Sequence, residues 1–304
     1  MAKFQINILG CGSATPSLRH KPSCQVIDFR DNLLMVDCGE GAQLEMRRQR
    51  LKYSRLSHIF ISHLHGDHCL GLTGLLSTLA LHGRTGDVTV HIMKDGAELF
   101  KRMLDYFNRE SPYEVKFDII TPRSGIIMET DALTVETFPL YHRIPCTGFI
   151  FREKEKPRHL LGDMARFYDI PRYAINSIKQ GDDYVTHDGT VIPNGRLTAP
   201  PDPAISYAYC SDTMMDPRVA KSIEGVDTVY HEATYDDSLT VKARQRGHST
   251  ASEAARIASM AGAKRLIIGH FSKRYTSEDT LLAQARAIFP NTIAANEGLA
   301  IDLL

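Results

Sequence analysis

The sequence has no run of about 18 consecutive apolar residues, the length that a membrane-spanning helix requires. Its first residues also lack the apolar core of a signal peptide. Neither membrane insertion nor secretion is indicated, and we expect a cytoplasmic protein.

Cysteine is scarce, and neither sign of charge is in excess. The six cysteines show no C-x-x-C spacing and are too sparse for a disulfide framework in 304 residues, so we expect reduced thiols. With 36 basic and 36 acidic residues, the whole chain does not attract nucleic acid, and any RNA binding must be local. A hydrophobic content of 43% is enough for the core of an ordinary globular enzyme.

The densest basic stretch covers residues 47–55, at the end of a helix that we expect to begin near Gly41. Two interpretations are open for it: a solvated helical face, or a local contact with RNA.

The most informative segment is residues 63–68, which holds His63, His65, Asp67 and His68. It follows residues 57–62, whose apolar alternation predicts a strand entering the core. Imidazole nitrogen and carboxylate oxygen suit zinc, with iron and manganese as alternatives. The segment therefore predicts a metal site.

The spacing within this segment allows two ions. His63 and His65 can face one ion, while Asp67 and His68 face a neighbouring position roughly 3.5–4 Å away, the separation usual in two-metal hydrolytic sites. A catalytic zinc takes about three protein ligands, so further ligands must come from elsewhere in the chain.

Three later strand-like runs each end at a possible ligand. Residues 134–141, 205–211 and 264–269 deliver His142, Asp212 and His270. A polar ligand at the exit of a buried strand is what a site at one edge of packed sheets requires.

This pattern resembles the two-metal site of the metallo-β-lactamase superfamily. Within that superfamily, further segments are similar to the ribonuclease Z family, which trims the 3′ trailer from precursor tRNA; they are residues 10–17, 36–41, 66–76, 231–234 and 247–250. The resemblance extends from residue 5 to about residue 300.

The resemblance implies an α/β fold of α+β type, a four-layer αββα sandwich of two similar halves with an inserted protruding arm. Periodicity predicts that the first half ends near residue 150 and includes a strand at 134–138, and that the second half resumes near residue 203. We expect a single domain over residues 1–304.

Residues 153–190 lack a clear core pattern and mix basic with aromatic side chains. The resemblance implies that they form the arm that grips the tRNA body. The arm's usual Gly-Pro-rich stretch is represented here only by residues 169–173, and a local subdomain or a dimer contact is the alternative.

The resemblance also implies two Zn²⁺ ions per subunit, other divalent transition metals being possible, and no organic cofactor. The implied ligands are His63, His65 and His142 for the first ion, Asp67, His68 and His270 for the second, and Asp212 between them.

By the same resemblance, a hydroxide held between the ions attacks the scissile phosphate, and Asp67 can accept the proton that the water loses when it forms this hydroxide. His248 is the candidate acid for the leaving oxygen, oriented by Glu232. Asp37 is expected to hydrogen-bond a ligand histidine, with a helix cap as the alternative. The glycine loop at residues 10–15 either contacts phosphate or closes a hairpin.

The sequence thus predicts a homodimeric, zinc-dependent endoribonuclease that acts on precursor tRNA and leaves a 3′-hydroxyl on the tRNA and a 5′-phosphate on the trailer. One alternative is a two-metal phosphodiesterase or arylsulfatase-like hydrolase of small substrates. A non-catalytic RNA-binding or scaffold subunit is the other.

Overall fold

The computed structural model describes residues 4–303, which fold into two compact units. The first unit comprises the residues up to Met128, Val135–Phe151 and the residues from Ser206 onward. The second comprises Glu129–Thr134 and Arg152–Ile205. The prediction of an arm at 153–190 stays a prediction, since the second unit includes these residues within wider bounds.

One sheet of the first unit contains seven strands within residues 4–303, in the order β18-β1-β2-β3-β4-β5-β6. Strands β3 to β6 are parallel, whereas β1 is antiparallel to both β2 and β18. The bounds are β1 Phe4–Gly10, β2 Cys24–Phe29, β3 Asn32–Val36, β4 Leu56–Phe60, β5 Val88–Ile92, β6 Val115–Ile119 and β18 Ala300–Asp302.

The other sheet also has seven strands in the described chain, in the order β17-β16-β15-β14-β9-β8-β7. Strands β14 to β17 are parallel, so their carboxyl ends lie at one edge. The bounds are β7 Gly125–Glu129, β8 Leu133–Leu140, β9 Cys146–Glu153, β14 Ser206–Cys210, β15 Thr228–Glu232, β16 Arg265–Gly269 and β17 Thr292–Ala294.

The expected division near residue 150 is wrong in one respect. Strand β8, which contains the predicted strand at 134–138, belongs to the second sheet, and β18 near the end of the chain returns to the first. The alternation within a strand reports which of its faces is buried, but it does not report which strand it pairs with.

Helices cover the outer faces of the two sheets. On the first sheet, α1, α3 and α4 bury apolar residues such as Met46, Leu75 and Phe100 against the strands. On the second sheet, α8, α10 and α11 pack together over the parallel strands. The helices of this unit are α1 Ala42–Arg48, α2 Gly66–Cys69, α3 Leu72–Leu81, α4 Lys94–Phe107, α8 Pro217–Ser222, α9 Thr240–Arg246, α10 Ala251–Met260 and α11 Asp279–Ile288.

The inner faces of the two sheets meet in an aromatic layer. The Phe60 ring of β4 lies 5.5 Å from the rings of Phe149 and Phe151 of β9, measured between centroids. Buried tyrosine hydroxyls also cross between the sheets, and Tyr207 Oη donates to Gln25 Oε1 at 2.5 Å. Two sheets sandwiched by helices are the four layers that the sequence predicted.

The basic stretch at 47–55 is only partly helical, because α1 ends at Arg48 and a 3₁₀ turn follows at Tyr53–Arg55. Arg48 pairs with buried Glu45, and Arg55 pairs with buried Asp28. These two arginines have structural carboxylate partners, which favours the helical-face interpretation for them.

The second unit has a small core of its own. Ala174, Ile178, Ile192 and Leu197 form a buried cluster. The sequence of residues 153–190 showed no clear core pattern because two of the four core residues lie beyond position 190. Its elements are β10 His159–Leu160, α5 Gly162–Phe167, α6 Ile175–Gln180, β11 Tyr184–Val185, β12 Val191–Ile192, α7 Asn194–Leu197 and β13 Thr198–Ala199.

None of the helices between residues 4 and 303 combines the length and apolar character that crossing a bilayer requires.

Candidate metal centre

Strand ends deliver the predicted ligands, as the sequence indicated. The segment from His63 to His68 follows β4 and contains the short helix α2. The other three ligands lie one or two residues beyond β8, β14 and β16; they are His142, Asp212 and His270. Because β14 and β16 belong to one parallel ladder, their two ligands leave the sheet at the same edge.

The structure brings all seven predicted ligands together in two sets. Possible ligand atoms of one set, His63, His65, His142 and Asp212, all lie within 4.8 Å of one another, and so do those of the other, Asp67, His68 and His270. All seven belong to the first unit.

Asp212 divides its two oxygens between the sets. Oδ2 lies 3.5 Å from His63 Nε2 and 3.7 Å from His142 Nε2. Oδ1 lies 3.4 Å from His68 Nε2 and 3.2 Å from His270 Nε2. The carboxylate is thus placed between two groups of ring nitrogens.

In the first set, hydrogen bonds to the ring nitrogens that face away from Asp212 fix the tautomers of His142 and His63. His142 Nδ1 lies 2.6 Å from the carbonyl oxygen of Gly247, which can only accept, so Nδ1 is the donor. Ser62 Oγ donates to Asp37 Oδ2 at 2.9 Å and accepts from His63 Nδ1 at 3.0 Å. Both rings therefore turn an unprotonated Nε2 toward Asp212.

The second set is fixed in the same way. His68 Nδ1 donates to Asp37 Oδ2 at 2.7 Å, as predicted for Asp37. Thr234 Oγ1 donates to Glu232 Oε2 at 2.7 Å and accepts from His270 Nδ1 at 2.8 Å. Nε2 of His68 and Nε2 of His270 consequently face each other at 3.3 Å.

These contacts suit cations. His65 Nδ1 lies 3.0 Å from His63 Nε2 and 3.1 Å from His142 Nε2, and one proton on His65 can satisfy only one of them. Asp212 Oδ1 is buried without a hydrogen-bond donor. Converging nitrogen and oxygen lone pairs fit zinc, and iron or manganese less well.

Electrostatics favours positive charge in this site. Burial opposes ionisation of Asp212, but His270 and His68 hold its pKa well below the ordinary value. Burial likewise favours neutral His68, yet Asp212 and Asp37 raise its pKa well above the ordinary value. Burial lowers the pKa of His142 to about 4, so this ring is neutral at pH 7.

His248 and Glu232 form a buried pair beside the ligands. His248 Nδ1 donates to Glu232 Oε1 at 2.9 Å, and Glu232 also accepts from the backbone amides of Thr213 and Ser249 at 3.1 Å each. Burial lowers the pKa of His248, but Glu232 and Asp212 raise it to about 9. In the absence of metal, His248 therefore carries a proton at neutral pH.

Two site residues adopt a left-handed backbone, with φ 55° at Asp37 and 61° at His270. Such conformations cost a non-glycine residue about 1–3 kcal/mol and persist where the surrounding structure imposes them. Gly247 has φ 75°, and a Cβ atom there would lie 2.7 Å from His142 Nδ1. Only glycine therefore fits at this position.

The glycine loop contacts the metal centre, although Ala14 and Thr15 are exposed. The amide of Ala14, itself left-handed at φ 67°, donates to Asp67 Oδ2 at 2.7 Å. The amides of Gly12 and Ser13 are also bonded within the protein. This favours a structural role for the loop over the predicted alternative of binding phosphate.

Sequence reasoning missed Thr234, Ser62 and the Ala14 amide. Thr234 lies in the 231–234 segment that carried part of the resemblance, so a signal for it was present. Ala14 lies in the 10–17 segment, which also carried part of the resemblance, but neither its amide nor Ser62 was singled out, because both act through contacts between distant segments.

A cleft of about 270 Å³ opens over the site. Its lining includes His65, Asp67, His248 and the exposed Arg143. The fold and this site together define a metal-binding protein of the metallo-β-lactamase fold. The fold is that of the crystal structure of human tRNase Z, short form, with a TM-score of 0.71 and 24% identity over 99% of both chains.

Sequence comparisons identify the family. Ribonuclease Z of Bacteroides fragilis is 52% identical over 304 residues, covering 100% of both chains, and that of Porphyromonas gingivalis is 49% identical with the same coverage. The family described as Anti-Pycsar protein Apyc1 matches residues 4–194, a match that ends before Asp212. The chain belongs to the ribonuclease Z family and, over residues 4–194, to the family described as Anti-Pycsar protein Apyc1.

Proposed function

We propose that this protein is a metal-dependent endoribonuclease that removes the 3′ trailer from precursor tRNA. The products are a 3′-hydroxyl on the tRNA and a 5′-phosphate on the trailer. The observation that carries the proposal is the placement of the two Asp212 oxygens between two sets of nitrogen and oxygen ligand atoms, in a chain of the ribonuclease Z family.

The donor set fits two divalent cations, for which we propose Zn²⁺. His63, His65 and His142 would hold the first, Asp67, His68 and His270 the second, and Asp212 both. When bound, such a pair lowers the pKa of a water molecule between them and offsets negative charge on the phosphate.

Asp67 is best suited to be a ligand. Although burial opposes its ionisation, His270 and His68 lower the pKa of Asp67 well below the ordinary value. A carboxylate so stabilised in its charged form is a weak base. We therefore propose proton acceptance only as a second role, with the Ala14 amide keeping Oδ2 aimed at His68 and His270.

His248 is the proposed acid. Because Nδ1 of His248 faces Glu232, the proton available for catalysis is the one on Nε2. His248 would donate this proton to the departing 3′ oxygen of the tRNA. Glu232 is the residue that orients the ring, because five donor groups fix the position of its carboxylate. Arg143 in the cleft supplies a positive charge for the phosphate backbone.

We infer that residues 153–190 contact the tRNA body. Phe167 and Tyr173 of the second unit are largely exposed, at 76% and 85%, and basic residues lie beside them in the sequence. Exposed aromatic and basic side chains together suit RNA. A homodimer and a cytoplasmic location complete the proposal, and the support for these two is the family resemblance.

Cleavage-site mapping on one trailer-bearing precursor tRNA tests the proposal. We expect a single cut at the 3′ end of the tRNA body with the end chemistry given above. His65→Ala should abolish the cut, while His82→Ala, at an exposed histidine outside the site, should not. A different cut position, different ends, or near-normal cleavage by the His65 variant would refute it.

A further inference from the structure

A second group of side chains that could bind a metal ion shares no residue with the metal centre. Cys11 follows β1, His20 precedes β2 and Glu297 precedes β18. Cys11 Sγ lies 3.3 Å from His20 Nδ1 and 3.8 Å from Glu297 Oε2, and these last two atoms are 2.9 Å apart.

The size of this triangle is close to that of a zinc site. Bond lengths of about 2.3 Å to sulfur and about 2.0–2.1 Å to nitrogen or oxygen give tetrahedral edges of roughly 3.3–3.6 Å. The contacts of Cys11 differ from this range by a few tenths of an ångström. Only the edge between His20 and Glu297 has to lengthen appreciably.

A carboxylate contacts the ring nitrogen of His20 that faces away from Cys11, as is common for metal-binding histidines. His20 Nε2 lies 2.9 Å from Glu278 Oε1, and Arg19 holds both oxygens of Glu278, at 2.7 and 2.8 Å. A carboxylate that accepts from the outer nitrogen orients the ring, as behind a metal-bound histidine. Nδ1 itself lies 2.9 Å from Glu297 Oε2, so a cation would have to displace the proton between these two atoms. This carboxylate–imidazole arrangement points Nδ1 at Cys11 and Glu297.

The surroundings of Cys11 are unusual for a structural thiol. A buried cysteine normally packs as a small apolar residue, whereas this fully buried sulfur faces an imidazole and a carboxylate. Its hydrogen-bond acceptors, Ala295 O at 3.5 Å and Glu297 Oε2 at 3.8 Å, are distant. The sulfur is thus poorly held as a donor and well placed as a ligand.

The charges around the group also permit a cation. Ion binding would release the Cys11 thiol proton and the proton between His20 Nδ1 and Glu297. The thiolate, Glu297 and Glu278, with Arg19, would then carry a net negative charge that a divalent ion neutralises. A cavity of about 160 Å³ borders His20 without reaching Cys11 or Glu297.

We propose that Cys11, His20 and Glu297 bind a thiophilic divalent cation, with Zn²⁺ as the expected ion. The site joins the loop between β1 and β2 to the turn before β18. The same loop contains Ala14, whose amide donates to Asp67. An ion bound at Cys11 would therefore help to fix the position of this hydrogen bond at the metal centre.

Cobalt substitution in the full-length protein tests this site separately from the function. In the described residues no cysteine belongs to the donor sets of the metal centre, so a thiolate-to-cobalt charge-transfer band reports on Cys11 alone. We expect the band in the parent protein and in Cys24→Ser, an equally buried control, and its loss in Cys11→Ser. No band in the parent protein, or a band that persists in Cys11→Ser, would overturn the proposal.

A second variant avoids the buried thiol. Glu278→Gln changes a partly exposed residue behind His20 and should weaken the Co²⁺ binding that produces the band roughly 10–100-fold, with its shape retained. Unchanged affinity would overturn the assignment of His20. Both readouts are independent of RNA cleavage, so an inactive enzyme can still confirm the site.

Discussion

The metal centre and the second unit differ in the kinds of side chain they contain and in how far these are exposed. The centre is built from buried histidines and carboxylates. Hydrogen bonds hold the ring nitrogens that face away from the centre, and they thereby fix the direction of the nitrogens that face into it. The second unit has a four-residue core and exposed aromatic and basic groups. The comparison teaches that metal chemistry requires fixed geometry, whereas the proposed contact with a long polyanion requires exposed and charged side chains.

Asp212→Asn should have the largest effect, because it removes charge from the only side chain that faces both donor sets in the described structure. We expect cleavage to fall by roughly 10⁴-fold or more, since metal chemistry supplies several kcal/mol of the barrier reduction. Metal content and single-turnover cleavage are measured together, with His82→Ala as the control. Near-normal activity at reduced metal content would contradict the centre's role.

His248→Gln should lower kcat by roughly 10²–10⁴-fold while metal content is retained. Loss of metal instead would make His248 a ligand. In metal-free protein, NMR should show the His248 ring titrating at about 9, and Glu232→Gln should lower that pKa. The ion pair stabilises the metal-free fold fully below pH about 6.5, and its contribution falls as pH rises through about 9.

Replacing residues 154–204 with a short flexible linker distinguishes the contribution of the second unit from that of the metal centre. The ends are close, because the Glu153 amide donates to Ile205 O at 2.9 Å. We expect kcat/KM on precursor tRNA to fall roughly 10²-fold or more, through lost phosphate contacts. Hydrolysis of bis(p-nitrophenyl) phosphate should be unchanged. Equal loss on both substrates would count against an RNA-binding role and favour a structural one.

Thr234→Val should weaken metal binding roughly 10–100-fold, because it removes the hydroxyl that joins His270 to Glu232. Thr234→Ser keeps the hydroxyl and serves as the matched rescue. Competition with a chelator gives the affinities. Equal affinity in the Val variant would show that packing alone positions His270.

Thr250→Ala should have the smallest effect, a loss of about 1 kcal/mol in unfolding free energy. Thr250 caps α10, and Glu253 completes a capping box with it. Denaturant unfolding measures the change, with Ser252→Ala as a comparison inside the helix. A large loss of activity at unchanged stability would place this helix start in the site.

The candidate ligands were predictable from the sequence because they follow apolar runs closely, as His270 follows β16. The sheet to which β8 belongs was not, since strand pairing depends on distant segments. Asp37 was predicted from its motif, whereas Ala14 and the Cys11 group depend on loops folding against remote residues. The core of the second unit was missed because its members are few and widely spaced.

The hydrogen-bonded Nδ1 atoms have a consequence for the entropy of metal binding. Asp37, Gly247 and Thr234 hold three histidine rings through hydrogen bonds within the protein. A ring already held in one orientation loses little rotational freedom when its other nitrogen binds a cation. Part of the affinity of the centre for its ions therefore resides in residues that touch no ion.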